Sequence, residues 1–216
     1  MERGGFPKNK KRTRKKVFEM SIPKWQDYVT PPPDLHHQLS YPSPWMYPSE
    51  INLIKKYLKP DHLMVEYGAG GSTLLFSTFV SEYHSIESDP TWVETVRKES
   101  PKNVHMHSVP VKRPQRDMCQ KYLRAWSSLY TTATYKAYKK YIEEIAKIQK
   151  KINVVLIDGR ARPQCARFAY DIIDKETIVF IHDWAGRYHY RTVLEKYYIV
   201  EEIDDIKTGI VALKKR

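Results

Sequence analysis

The sequence predicts an α/β domain: a mainly parallel sheet with helices on its faces, closed by an antiparallel hairpin. Three observations lead there. From Leu63 onward, short β-like runs alternate with helix-like segments, the rhythm of a parallel sheet with right-handed crossovers. The first, fourth and fifth runs are almost wholly apolar, as strands buried on both faces are. The last two runs are too close together for a crossover, so they must pair antiparallel. With 216 residues, 41% of them hydrophobic, the chain can bury one full core with appendages.

Residues 1–16, MERGGFPKNKKRTRKK, carry eight basic side chains against Glu2, which is +7 of the net +12. So polar a segment cannot bury enough apolar surface to offset its ordering entropy, and a disordered basic tail is expected. It reads as a solvated tail or as a patch for nuclear import or nucleic acid. Residues 17–48 form a Pro-rich irregular lead-in that includes Pro31, Pro32 and Pro33. The folded domain spans 49–216. Its first element is a short helix, with Ser49 as the candidate cap and Ile51, Leu53, Ile54 and Leu58 recurring at helical spacing.

Strands are predicted at Leu63 to Tyr67, Tyr83 to Glu87, Asn103 to Ser108, Asn153 to Asp158 and Thr177 to Asp183. Helices are predicted between them at Ser72 to Val80, Pro90 to Glu99 and Pro163 to Ile173. The end of the chain breaks the rhythm with a helix at Tyr188 to Tyr197 and strands at Tyr198 to Ile203 and Gly209 to Leu213. One crossover is too long, leaving a helical insertion at about 110–152. There Tyr138, Tyr141, Ile142, Ile145 and Ile148 share one face with lysines opposite, as in an amphipathic helix packed on the core. A lid built from part of it is the alternative, since long connections in compact domains are often functional.

Cys119 and Cys165 have no paired spacing, so neither a disulfide framework nor a zinc site is indicated, and a reducing compartment fits. No apolar run approaches the ~20 residues of a membrane span, and the N-terminus lacks the apolar segment of a signal peptide. A soluble cytoplasmic protein is expected, or a nuclear one if the basic N-terminus acts as an import signal.

The stretch Val65 to Ser77, VEYGAGGSTLLFS, places a glycine turn between a strand and a helix. Such a turn offers unpaired N–H groups and close backbone approach to a ligand. A mononucleotide phosphate loop needs a Lys after its last glycine, and Gly71 is followed by Ser72 and Thr73. A dinucleotide loop wants G-x-G-x-x-G, and the third position here is Thr73. Glu66, two residues before Gly68, would repel a pyrophosphate. S-adenosylmethionine carries an ammonium and a sulfonium, which a carboxylate attracts, so the loop suits that cofactor better.

Glu66-Tyr67-Gly68-Ala69-Gly70 resembles the first motif of class I S-adenosylmethionine-dependent methyltransferases, and the likeness covers roughly Ser49 to Lys214. It implies a Rossmann-like, seven-stranded methyltransferase sheet in the order 3-2-1-4-5-7-6, last strand antiparallel, flanked by helices. It also implies a cofactor site drawn from Glu66, Gly68, Ala69, Gly70, Ser72, Glu87, Ser108 and Asp158. Glu87, ending the second strand, would accept the ribose hydroxyls. Dinucleotide enzymes place an acid there too, so Glu87 speaks for the fold more than for the cofactor.

Ligands of open α/β sheets lie outside the carboxyl ends of the strands, where Asp158 and the group His182-Asp183-Trp184 are expected. "LIDGRAR" and "IHDW" are similar to segments of small-molecule and sugar O-methyltransferases. The resemblance implies O-methylation of a sugar or glycan hydroxyl, with Asp158, His182 and Asp183 as catalytic residues. In metal-dependent relatives such carboxylates hold Mg²⁺, so Asp158 and Asp183 are candidate ligands for Mg²⁺ or another divalent cation. His182, in place of an acid, disfavours Mg²⁺, which prefers oxygen. Arg160 and Arg162 suggest an anionic acceptor such as a uronate, a sugar nucleotide or a phosphorylated glycan, and Trp184 a stacking surface for a pyranose. Structural roles compete: Asp158 as a helix cap, His182 as a bonded core histidine, the arginines as surface charge, the aromatics as packing.

Other functions remain open. An RNA methyltransferase is motivated by the pI of about 9.5 and the basic tail, against a body charge of only +5 (12 less 7) and no recognisable RNA-binding appendage. A binding or scaffold protein that keeps the fold without activity is another alternative. His105 and His107, on one face of the third strand, are taken as structural.

Overall fold

In the computed structural model the described residues are 42–111, 132–204 and 208–216. The basic tail, most of the proline-rich lead-in and the first part of the 110–152 insertion lie outside them.

Seven strands form one sheet in the order β3-β2-β1-β4-β5-β7-β6, the order implied by the resemblance. They are β1 (Leu63–Tyr67), β2 (Glu82–Glu87), β3 (Val104–Ser108), β4 (Val154–Ile157), β5 (Ile178–His182), β6 (Tyr197–Ile203) and β7 (Ile210–Lys215). The pairs from β3 through β5 are parallel, whereas β7 runs antiparallel to both β5 and β6. β1, β4 and β5 are buried throughout, which is why they read as nearly continuous apolar runs broken only by Glu66 and His182.

Helices cover the sheet: α1 (Pro48–Lys56), α2 (Gly71–Phe76), α3 (Pro90–Arg97), α4 (Thr132–Glu143) and α5 (Arg162–Ile172), with 3₁₀ turns at Ser77–Phe79, Glu144–Lys147 and Tyr188–Glu195. Two boundaries differ from expectation. α1 begins at Pro48 and not behind a Ser49 cap, because proline suits the first turn and the Glu50 carboxylate reaches back to accept the Tyr47 N–H at 2.6 Å. The predicted helix at 188–197 is a 3₁₀ segment.

Alternation along the strands sorts side chains onto two faces. Val65, Tyr67, Val155, Ile157, Val179 and Ile181 pack with Tyr141, Ile142, Ile145 and the Cys165, Ala166 and Ala169 face of α5. Met64, Leu156, Phe180 and Ala212 pack on the other face with Leu53 and Ile54 of α1 and Phe76 of α2. The insertion therefore ends as a core helix: Tyr141, Ile142 and Ile145 are buried. Glu66 and His182 fall on the α1 face, and this parity decides their partners.

Candidate active site

The carboxyl ends of β1, β2 and β4 converge at two glycines. Gly68 follows β1 with φ +109°, a conformation that favours glycine, and its N–H continues the ladder to Ile86 O at 2.9 Å. A Cβ built there would meet Gly159 N at 3.1 Å, and one at Gly159 would meet Tyr141 Oη at 2.1 Å and Gly68 N at 3.0 Å. The turns after β1 and β4 thus press backbone to backbone, and neither tolerates a side chain. Gly71 has a different reason for being bare, since a Cβ there would strike Ser43 C at 2.2 Å. Gly70 faces open space, its nearest neighbour being the Trp92 ring at 4.0 Å. Trp92 Nε1 donates to Ala69 O at 2.7 Å, so the indole is fixed beside the turn.

Glu66 is not exposed at the glycine turn. It is buried among hydroxyls on its own side of the sheet: Ser72 Oγ, Thr73 Oγ1 and Tyr83 Oη, the last at 3.0 Å, all donate to it. Burial pushes its pKa up to about 7 against these hydrogen bonds. Thr73 Oγ1 in turn accepts the Gly70 N–H at 3.1 Å, so Glu66 shapes the glycine turn from beneath. This corrects the expectation of direct electrostatic contact with a cationic cofactor, and Ser72 is likewise engaged inward.

Glu87 is differently placed. At the end of β2 it is partly exposed, and its Oε1 accepts the Ser88 and Asp89 N–H groups at 2.5 and 2.9 Å, which orients the carboxylate. Ser108 ends the neighbouring β3 and is exposed.

Next along the edge is an ionic cluster. His182 Nδ1 lies 2.8 Å from Asp158 Oδ1, and its Nε2 faces Glu50 Oε1 at 3.4 Å. Glu50 is not among the site residues the sequence points to. The signal was a carboxylate at position i of the buried i, i+3, i+4 stripe it shares with Leu53 and Ile54. Burial alone would lower the His182 pKa, but Asp158, Glu50 and Asp183 outweigh it and raise it to about 10. The ring is an imidazolium at neutral pH.

Arg162 closes the cluster from the first turn of α5. Its Nη2 pairs with Asp158 Oδ1 at 3.2 Å and Asp183 Oδ2 at 2.9 Å, while Nε reaches Gly159 O at 3.0 Å and Nη1 reaches His182 O. Asp183 also pairs with Arg187 at 3.1 Å. Despite burial, Arg162, His182 and Arg187 hold the Asp183 carboxyl well below the usual carboxylate range. Ala161 (φ 51°) and Asp183 (φ 55°) adopt the left-handed region, rare without glycine. Asp183 belongs to the cluster, and Ala161 directly precedes Arg162.

Three expectations change accordingly. Arg162 is buried with its donors engaged internally, so it is not a surface for an anionic acceptor, whereas Arg160 is exposed on the same turn. Trp184 is fully buried, its Nε1 donating to Glu202 at 2.6 Å, and offers no ring to a sugar. Asp158, His182 and Asp183 do bring ligand atoms within 4.8 Å of one another. A divalent cation does not fit among them: a guanidinium already bridges the two carboxylates, and an imidazolium has no lone pair for a metal.

No family model matches the chain, and no curated protein does. Solved structures share the fold at low identity. A methyltransferase-like protein from Silicibacter pomeroyi is similar with TM-score 0.57 and 20% identity, over 81% of this chain and 90% of that one. Precorrin 8W decarboxylase from Methanobacterium thermoautotrophicum gives 0.54 and 13%, over 81% and 93%. A putative methyltransferase from Streptococcus mutans in complex with SAH gives 0.52 and 10%, over 79% and 99%. The chain therefore has the Rossmann-like methyltransferase fold, and among its described residues no helix is long and apolar enough to cross a membrane.

Proposed function

We propose that this chain is an S-adenosylmethionine-dependent O-methyltransferase acting on a sugar or glycan hydroxyl. One observation carries the reading: the glycine turn after β1, Glu87 and Asp158 lie on one edge of a sheet whose β7 is antiparallel. A dinucleotide domain, with its all-parallel order, lacks that last feature.

The backbone of Gly68, Ala69 and Gly70 and the oriented Glu87 carboxylate would hold the cofactor, with Ser108 and Trp92 bounding the cradle. The open side of Gly70 is where a Cβ would intrude. S-adenosylmethionine, when bound, supplies an electrophilic methyl group on a sulfonium. Asp158 would accept the hydrogen bond of the acceptor hydroxyl and take up its proton, leaving that oxygen able to receive the methyl group the cofactor supplies. His182, Asp183 and Arg162 act through Asp158 as positioning residues. Arg160, exposed beside the edge, favours an anionic acceptor.

The test is transfer of labelled methyl groups to separate glycan and RNA pools. Label in the glycan pool, reduced about 10²–10⁴-fold by Asp158→Ala and not increased by added Mg²⁺, is the expected result. Label confined to RNA would contradict the acceptor assignment, and undiminished transfer by Asp158→Ala would contradict the site.

A further inference from the structure

The outer part of the sheet, away from the cofactor edge, carries an unusual face. On the side shared with Val65 and Tyr67, β2 and β3 present Glu82, His84, His105 and His107, where a covered sheet would be apolar. The register pairs His84 with His105 across the two strands, and their rings stack with centroids 4.8 Å apart. His84 Nε2 lies 2.8 Å and His105 Nε2 4.0 Å from the same Glu82 Oε1.

We propose that Glu82, His84 and His105 form a binding site for a divalent transition-metal ion of the zinc type, with a solvent-facing fourth position. The ligand atoms of these three residues all lie within 4.8 Å of one another. A tetrahedral ion with bonds of about 2.0–2.1 Å sets its ligands roughly 3.4 Å apart, midway between the two separations from Glu82. Two imidazoles and a carboxylate match zinc and disfavour Mg²⁺ or Ca²⁺.

The surroundings supply the second layer that such ligands need. With metal on His84 Nε2, its Nδ1–H donates to His107 Nε2, 2.9 Å away, and His107 Nδ1–H donates to the Glu144 carboxylate at 3.2 Å. That chain fixes both tautomers and increases the basicity of the ligating ring. The competing cation is Lys150, 2.9 Å from Glu82 Oε1 and 2.8 Å from Oε2. Its side chain is 63% exposed, and so open a pair is weak enough to yield. The site is distinct from the cofactor edge: Glu82 and Glu87 stand at opposite ends of β2, roughly 16 Å apart at the rise of a strand.

The experiment is calorimetric titration of the EDTA-stripped full chain with Zn²⁺, repeated with Co²⁺ for its visible spectrum. One ion per chain and tetrahedral cobalt bands are expected. His105→Gln and Glu82→Gln should each weaken binding by more than about tenfold, and His107→Ala by about 10–100-fold, with thermal midpoints in EDTA near wild type for the exposed His105 variant. Lys150→Ala should bind more tightly, a gain that misfolding cannot mimic. Absence of binding overturns the proposal. So does binding that survives His105→Gln and Glu82→Gln, or that is lost in Asp158→Asn instead.

Discussion

His182 Nδ1 sits 2.8 Å from Asp158 Oδ1, and that contact ties the end of β5 to the end of β4 at the edge where a ligand would dock. The pair is buried on the histidine side and partly open on the aspartate side, so one partner is fixed while the other can meet substrate. Glu50 approaches His182 from behind at 3.4 Å, which makes the imidazole a charged spacer between two carboxylates.

That charge has a pH signature. The His182 pKa stands raised from 6.5 to about 10, so its stabilising contribution is complete below about pH 6.5 and is lost as pH rises through 10. Wild type should lose stability relative to His182→Gln between pH 7 and 10. Urea unfolding over that window checks it, and parallel profiles would refute the ionic reading.

Arg162 supports the same edge through contacts only a guanidinium fork can make. Arg162→Lys keeps the charge and loses the fork, and a destabilisation of about 3 kcal/mol is expected, the scale of breaking a buried pair. Thermal or urea unfolding measures it. A change below about 0.5 kcal/mol would show that charge alone suffices.

Much of this architecture was legible beforehand. The strands stand out because β1, β4 and β5 are almost wholly apolar, and the short link between the last two strands dictates the hairpin. What escaped depends on which face a side chain takes. Glu66 precedes the glycines and so is expected to face a ligand, yet strand alternation points it beneath the turn, toward Tyr83 and the hydroxyls of α2. Arg162 and Trp184 follow strand ends and are therefore expected to meet a substrate, but charge pairing and packing draw both inward. Glu50, over a hundred residues from His182 in sequence, could be found only once the fold brought α1 against β5.

Glu66 offers an independent test. Its pKa is raised from 4.5 to about 7, so the stability it contributes is present below about pH 4.5 and is lost as pH rises through 7. Relative to Glu66→Gln, wild type should lose up to about 1.4 kcal/mol per pH unit within that window. Equal slopes in denaturant unfolding would contradict the burial argument.

Gly159 tests the contact between the two turns. Gly159→Ala puts a methyl 2.1 Å from Tyr141 Oη and 3.0 Å from Gly68 N, and a loss of about 1–3 kcal/mol is expected. Tyr141→Phe removes the nearest atom but not the backbone, so the double variant should recover only part of the loss. Full recovery would mean that the glycine pair is not closely packed.

The central claim is that this edge binds S-adenosylmethionine, and calorimetric titration of the full chain with S-adenosylmethionine tests it most directly. One site per chain is expected. Glu87→Gln should weaken affinity about tenfold or more, the worth of a charged hydrogen bond, while Glu66→Gln at pH 7 should change it by less. No heat and no thermal stabilisation by the cofactor, or equal loss in both variants, would contradict the account.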